Sequence, residues 1–119
     1  MSTIKKQIWK SDNGQQMTQY HLTTEQGAWL AEVFMQPNGF IFIKSDWGDF
    51  SYKFCFNGTF ENFILSLNDD YFAGKVYQQW NFISATNKVE LATKRLARHV
   101  LPALQEAIRE SQCNDISAL

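Results

Sequence analysis

Pro37-Asn38-Gly39, Phe40-Ile41-Phe42-Ile43-Lys44-Ser45, Asp46-Trp47-Gly48-Asp49, Phe50-Ser51-Tyr52-Lys53-Phe54-Cys55-Phe56: this stretch decides the fold. In its last part Phe50, Tyr52, Phe54 and Phe56 alternate with Ser51, Lys53 and Cys55. A period of two places every second side chain on one face, so the run predicts a strand with one buried aromatic face. Residues 40–45 are β-branched and aromatic, the composition that favours a pleated, half-buried surface. The Pro-Asn-Gly run and the Asp-Trp-Gly-Asp run supply turn chemistry on either side of that strand. Short connections make the flanking strands antiparallel neighbours.

The same alternation extends toward the N-terminus. Over residues 16–22, Met17, Gln19 and His21 face one way and Thr18, Tyr20 and Leu22 the other. Residues 24–27 read as a turn. Over residues 28–35, Trp29, Ala31, Val33 and Met35 alternate with Leu30, Glu32 and Phe34. Ala28 to Glu32 also suits a helix, but the turn at 37–39 between two extended runs favours a strand. These segments form a four-stranded antiparallel meander. Its expected core includes Phe40, Phe42, Phe50, Tyr52 and Phe54, continued by Phe60 and Phe63. Residues 1–7 and 111–119 read as flexible ends.

Beyond Gly58 the period changes. Thr59 is placed to cap a helix with Phe60, Phe63, Ile64 and Leu67 at spacings of three and four. Asn68-Asp69-Asp70 ends it and caps a second short helix from Tyr71 to about Tyr77, where acids complement the positive helix N-terminus. Residues 78–84 connect to a long helix from Asn87, whose apolar stripe is Val89, Ala92, Leu96, Val100, Ala103, Leu104, Ala107 and Ile108. Pro102 removes a backbone donor inside that stripe, which predicts a kink or a break. The expectation is one α+β domain over residues 1–119, an antiparallel sheet with helices on one face.

Composition agrees. The 119 residues are 45% hydrophobic and 15% aromatic, which excludes a disordered chain. No apolar run reaches membrane-helix length, and no apolar region follows Lys5 and Lys6 as a signal peptide requires. Cys55 and Cys113 read as free thiols.

A net charge of −1 hides a segregation. Between Thr23 and Phe72 stand seven acids (Glu25, Glu32, Asp46, Asp49, Glu61, Asp69 and Asp70) against Lys44 and Lys53. Between Ala73 and Arg98 stand Lys75, Lys88, Lys94, Arg95 and Arg98 against Glu90. Lys88, Lys94, Arg95 and Arg98 read either as a phosphate-contacting patch or as a solvated helix face. Asp46, Asp49, Asp69 and Asp70 read either as an acidic surface for a basic groove on a partner protein, or as turn and cap residues.

Chemistry finds little purchase. Cys55 with His21 or His99 is the one thiol–imidazole combination, and flanking Phe54 and Phe56 predict an inert thiol. No metal-ligand spacing and no glycine-rich phosphate loop occurs, so no catalytic residue, metal or cofactor is expected. Trp9, Trp29, Trp47 and Trp80 cannot all be central core in so small a domain. Trp47, set between two acids, has the makeup of an interface hot spot.

The run Ser45-Asp46-Trp47-Gly48-Asp49-Phe50-Ser51-Tyr52, followed by Phe60, Phe63 and Ile64 and by Asp69-Asp70-Tyr71 with Gly74-Lys75, resembles a group of small, largely uncharacterised bacteriophage and prophage proteins. The likeness covers residues 16–76, not the C-terminal helix. It carries no catalytic residue. It implies a phage accessory protein acting in the cytoplasm of the bacterial host, a class whose members often inhibit host defences such as CRISPR-Cas complexes. Together with Asp46, Trp47, Asp49, Asp69 and Asp70 it leads to a non-enzymatic protein that binds and inhibits a host protein complex. The alternative is a nucleic-acid-associated protein using the basic helix. A homodimer is compatible with either.

Overall fold

A computed structural model describes residues 5–10, 12, 14–46, 48–75 and 87–117. Five strands, β1 (Lys5–Lys10), β2 (Gln16–Thr23), β3 (Trp29–Met35), β4 (Phe40–Ser45) and β5 (Gly48–Lys53), form an antiparallel meander in the order β1-β2-β3-β4-β5. Three helical segments follow: α1 (Phe60–Leu65), α2 (residues 69–75) and α3 (Asn87–Ser117). The α+β class and the antiparallel meander match the sequence reading, and residues 29–35 are strand.

The sheet has five strands, not four. Lys5 to Lys10 pair with His21 to Gln16 along the full length of β1, so part of the expected loose N-terminal end is a sheet edge. Its apolar content is too low to signal a strand, because the described side chains from Lys6 to Lys10 are all exposed. The C-terminal end also differs, since α3 continues through residues 111–117. β5 starts at Gly48 and stops at Lys53, which takes Gly48 and Asp49 out of the expected turn and leaves Phe54 to Phe56 outside the ladder.

Turn chemistry sets the register. Gln36 N–H donates to Phe40 O (2.9 Å), Gly39 N–H to Gln36 O (3.0 Å) and Phe40 N–H to Asn38 Oδ1 (3.1 Å). Gly39 has φ +101°, and a Cβ there would lie 2.2 Å from Phe54 O. Only glycine fits where these two backbones meet, and Phe54 N–H donates to Gly39 O across the contact (2.9 Å).

One face of the sheet carries Thr18, Tyr20, Leu22, Ala31, Val33, Met35, Ile41, Ile43 and Phe50, all buried. Helix α3 lays Leu96, Ala97, Val100, Leu101, Leu104, Ala107 and Ile108 against it. Phe40 and Phe42 do not join this core. Strand parity puts Ile41 and Ile43 inward, and Phe40 and Phe42 onto the opposite face. The missing aromatic volume comes from beyond β5: Phe54 meets Tyr52 (4.6 Å between centroids), Phe63 (5.5 Å), Phe72 (6.0 Å) and Phe60 (6.2 Å).

Helix α3 passes Pro102 without dividing into two helices. Pro102 and Arg98, whose carbonyl loses its i+4 donor there, are both exposed, so the proline sits on the solvent side of the helix. Across the helical layer Gln105 Nε2 donates to Ile64 O and to Leu67 O, both at 2.9 Å. Ile64 stands in the last turn of α1, where its carbonyl also accepts from Leu67 N–H (3.1 Å), and Leu67 lies just past the helix end, where carbonyls look outside the helix for donors. Gln105 therefore caps α1 and fixes it to α3. Thr59 caps the other end, accepting from Asn62 N–H at 3.2 Å.

Candidate functional site

No described element covers the second face of the sheet. Parity and register compose it. One row across the strands reads His21, Glu32, Lys44, Asp49. The next reads Gln7, Gln19, Phe34, Phe42, Ser51. At one end Trp9 stands opposite Met17, and Phe40 opposite Lys53. Phe34 and Phe42 meet at 6.1 Å. Trp9 (48% exposed), Trp29 (37%) and Phe40 (36%) give this face three large apolar side chains in contact with solvent. Large exposed apolar area on a small domain marks an interaction surface.

Trp29 reaches this face through an irregularity. Simple alternation groups it with Ala31, Val33 and Met35, which point to the core. The register shifts between Leu22 and Thr23, so that Thr23 pairs with Trp29 and Leu30 is passed over. Such a bulge re-aims a side chain. Leu30 packs against the core, while the Trp29 indole bonds to Glu32 on the open face.

Glu32 is the hub of a polar chain across three strands. Its Oε1 accepts from His21 Nδ1–H and from Trp29 Nε1–H (3.3 Å), and its Oε2 from Gln19 Nε2 (3.0 Å). Gln19 Oε1 accepts from Trp9 Nε1–H (3.1 Å). Both exposed indoles thus hang on one carboxylate, directly or through Gln19. Burial pushes the Glu32 pKa up, but hydrogen bonds from Gln19, His21 and Trp29, with the charge of His21, outweigh it and hold the carboxyl below its ordinary value. The arrangement orients two aromatic anchors in advance, which lowers the ordering penalty of binding a partner.

The acids singled out in the sequence are divided. Asp46 is exposed in the β4–β5 turn. Asp49 is exposed on the open face opposite Lys44. Asp69 and Asp70 are exposed at the start of α2, which sends Phe72 and Ala73 into the core on the other side of the sheet. There they serve the helix start: Asp69 Oδ1 accepts from Asp70 N–H (3.1 Å), and Asn68 Oδ1 caps Tyr71 N–H (2.7 Å). Trp47 lies outside the described residues, as do Trp80 and the side chain of Lys88. Lys94, Arg95, Arg98 and His99 are exposed together on α3.

Cys55 is exposed, because alternation turns Phe54 and Phe56 inward and the thiol outward. It is thus not enclosed by apolar groups as its neighbours in sequence suggest. Among the described residues no group of three or more His, Cys, Asp or Glu could hold a metal ion, and no helix is long and apolar enough to cross a membrane.

Gln19, Glu32 and the pairing of both indoles with them escaped the sequence reading. The usable signal was the parity that sets Gln19, His21 and Glu32 on one face. Residues 10–113 match the Phage_phiTE_072 phage family. Neither a curated protein nor a solved structure matches the chain.

Proposed function

The chain belongs to the Phage_phiTE_072 phage family, and on that premise we propose that it is a phage accessory protein that binds a host protein complex and acts by occupying it, not by catalysis. The action is inhibition of a host defence assembly in the bacterial cytoplasm, with CRISPR-Cas effectors as the first class to test. One observation carries the reading: an uncovered sheet face presents Trp9, Trp29 and Phe40 to solvent, with both indoles held by the Gln19–Glu32 chain. Preset aromatic anchors on a face that also carries Lys44, Asp49 and Lys53 have the makeup of a protein-binding hot spot. Asp49 is the acid of the original acidic-surface reading that stands on this face.

The test is capture of partners from nuclease-treated host lysate, comparing the native protein with Trp9→Ala/Trp29→Ala. A protein partner retained by the native chain and lost by the folded double variant supports the reading. Capture that the substitutions leave unchanged overturns it.

The second reading rests on Lys94, Arg95 and Arg98, exposed within one stretch of α3. It requires affinity for DNA or RNA that falls steeply with salt. A gel shift at low salt without a retarded band removes it.

A further inference from the structure

We infer that the free edge of β1 is a docking site for an extended acidic segment of a partner, added as a sixth strand. β1 has β2 as its one sheet neighbour among the described residues, so its outer edge presents unpaired N–H and C=O groups. The strand buries none of its described side chains. Its contribution to the core is therefore slight, yet it is paired over its whole length. Ile8 (47% exposed) and Trp9 (48%) sit side by side on it, one on each face of the sheet.

Charge selects the occupant. Lys5-Lys6-Gln7-Ile8-Trp9-Lys10 carries three positive charges and no acid. The opposite edge, β5, carries Asp49 and Lys53 and so has no preferred sign. A second copy is disfavoured, since antiparallel self-pairing about the middle of β1 sets Lys5 against Lys10. Like charges directly opposite destabilise a strand pair, and opposite charges stabilise it. Lysine on an edge strand also deters indiscriminate pairing. An acidic strand is the neighbour that the same lysines admit.

The surroundings have room for its side chains. On the helix side of β1 lies a groove of about 400 Å³ lined by Lys6, Ile8, Thr59, Glu61, Ser111 and Gln112, among others, with Lys6 on the β1 side and Glu61 on the α1 side. Lys6 Nζ donates to Ser111 Oγ (2.6 Å) and Gln112 Nε2 to Asn62 Oδ1 (3.1 Å), so its wall is held in shape. Every second residue of an added strand points toward this groove and the others toward Trp9. Main-chain hydrogen bonds supply affinity and the alternate side chains selectivity. The site adjoins the open face at Trp9, but it rests on main-chain pairing at the β1 edge and on Lys6 and Lys10, so its test is distinct from that of the indoles.

The test uses the full chain and three labelled peptides of about ten residues. One alternates Glu with Val, one alternates Lys with Val, and one is the acidic peptide N-methylated at every second residue. Fluorescence anisotropy at low salt is expected to show the acidic peptide binding at least about tenfold tighter than either of the others. In Lys6→Glu/Lys10→Glu, with its fold checked by circular dichroism, the preference is expected to reverse toward the Lys peptide. No binding of the acidic peptide overturns the inference and leaves the lysines as edge guards. So does equal binding of the N-methylated peptide, or a preference that the reversed charges do not move.

Discussion

Replacing Glu32 by Gln tests whether one carboxylate holds the open face in order. Oε1 serves His21 and Trp29, and Oε2 serves Gln19. A glutamine has the same shape but only one acceptor oxygen. One set of donors then faces an NH2 group, and the surviving bonds lose their charge. A hydrogen bond to a charged group contributes about 1.5–3 kcal/mol and a neutral one about 0.5–1.5. The Glu32 and His21 side chains are 19% and 35% exposed, so water replaces part of the loss, and the net destabilisation expected is about 1–2 kcal/mol. Each kcal/mol moves the midpoint of a domain this size by about 4 °C. Thermal unfolding at neutral pH should therefore show a fall of about 4–8 °C. The gap must also depend on pH in one direction. The folded-state pKa of Glu32 is lowered, so its stabilisation is present above the unfolded pKa and is lost as pH falls through the folded one. The native protein and the variant should converge as pH falls below the ordinary glutamate range. A gap absent at neutral pH, or equally wide in acid, would refute the role given to this carboxylate.

Three further outcomes follow from the packing. Gln105→Met removes the donors to Ile64 O and Leu67 O and should lower urea stability by about 1–3 kcal/mol, against under about 0.5 for Gln112→Met, whose bond to Asn62 is exposed; equal effects would show that the α1 cap is idle. Gly39→Ala forces a Cβ to 2.2 Å from Phe54 O at φ +101° and should destabilise by about 2 kcal/mol or more, read from the denaturant midpoint. Asp69→Lys/Asp70→Lys reverses two charges in the first turn of α2, so it should destabilise by about 1–2 kcal/mol at low salt and less at high salt, while leaving open-face binding intact; lost binding in a folded variant would return these acids to the interface.

The fold was largely legible because its signals are local. Thr18, Tyr20 and Leu22 face inward as their alternation requires, the Pro37-Asn38-Gly39 turn closes β3 onto β4, and Thr59 caps α1. β1 was missed because an exposed edge strand has no apolar face to show. Its place is fixed by pairing with β2, which a single segment does not encode. Phe40 and Phe42 were misassigned because hydrophobicity alone does not say which side of a sheet a helix will cover. Composition said that Trp9, Trp29, Trp47 and Trp80 could not all be core but not which stood outside, and alternation grouped Trp29 with Ala31, because the bulge that turns it arises between two strands. The open face became readable only once register brought Gln19, Glu32 and both indoles together.

The meander has a temporal consequence. Every sheet contact joins strands adjacent in the chain, so all five strands have been synthesised once Lys53 is added. The element that shields Tyr20, Val33 and Ile43 begins only at Asn87 and ends at Ser117. At about 5–20 residues per second the ribosome takes several seconds to deliver it. During that interval the nascent sheet bears a wet hydrophobic side that other chains or chaperones meet first. A premature stop before α3 would therefore yield a sticky, aggregation-prone fragment, so the C-terminal helix governs solubility during translation as well as final stability.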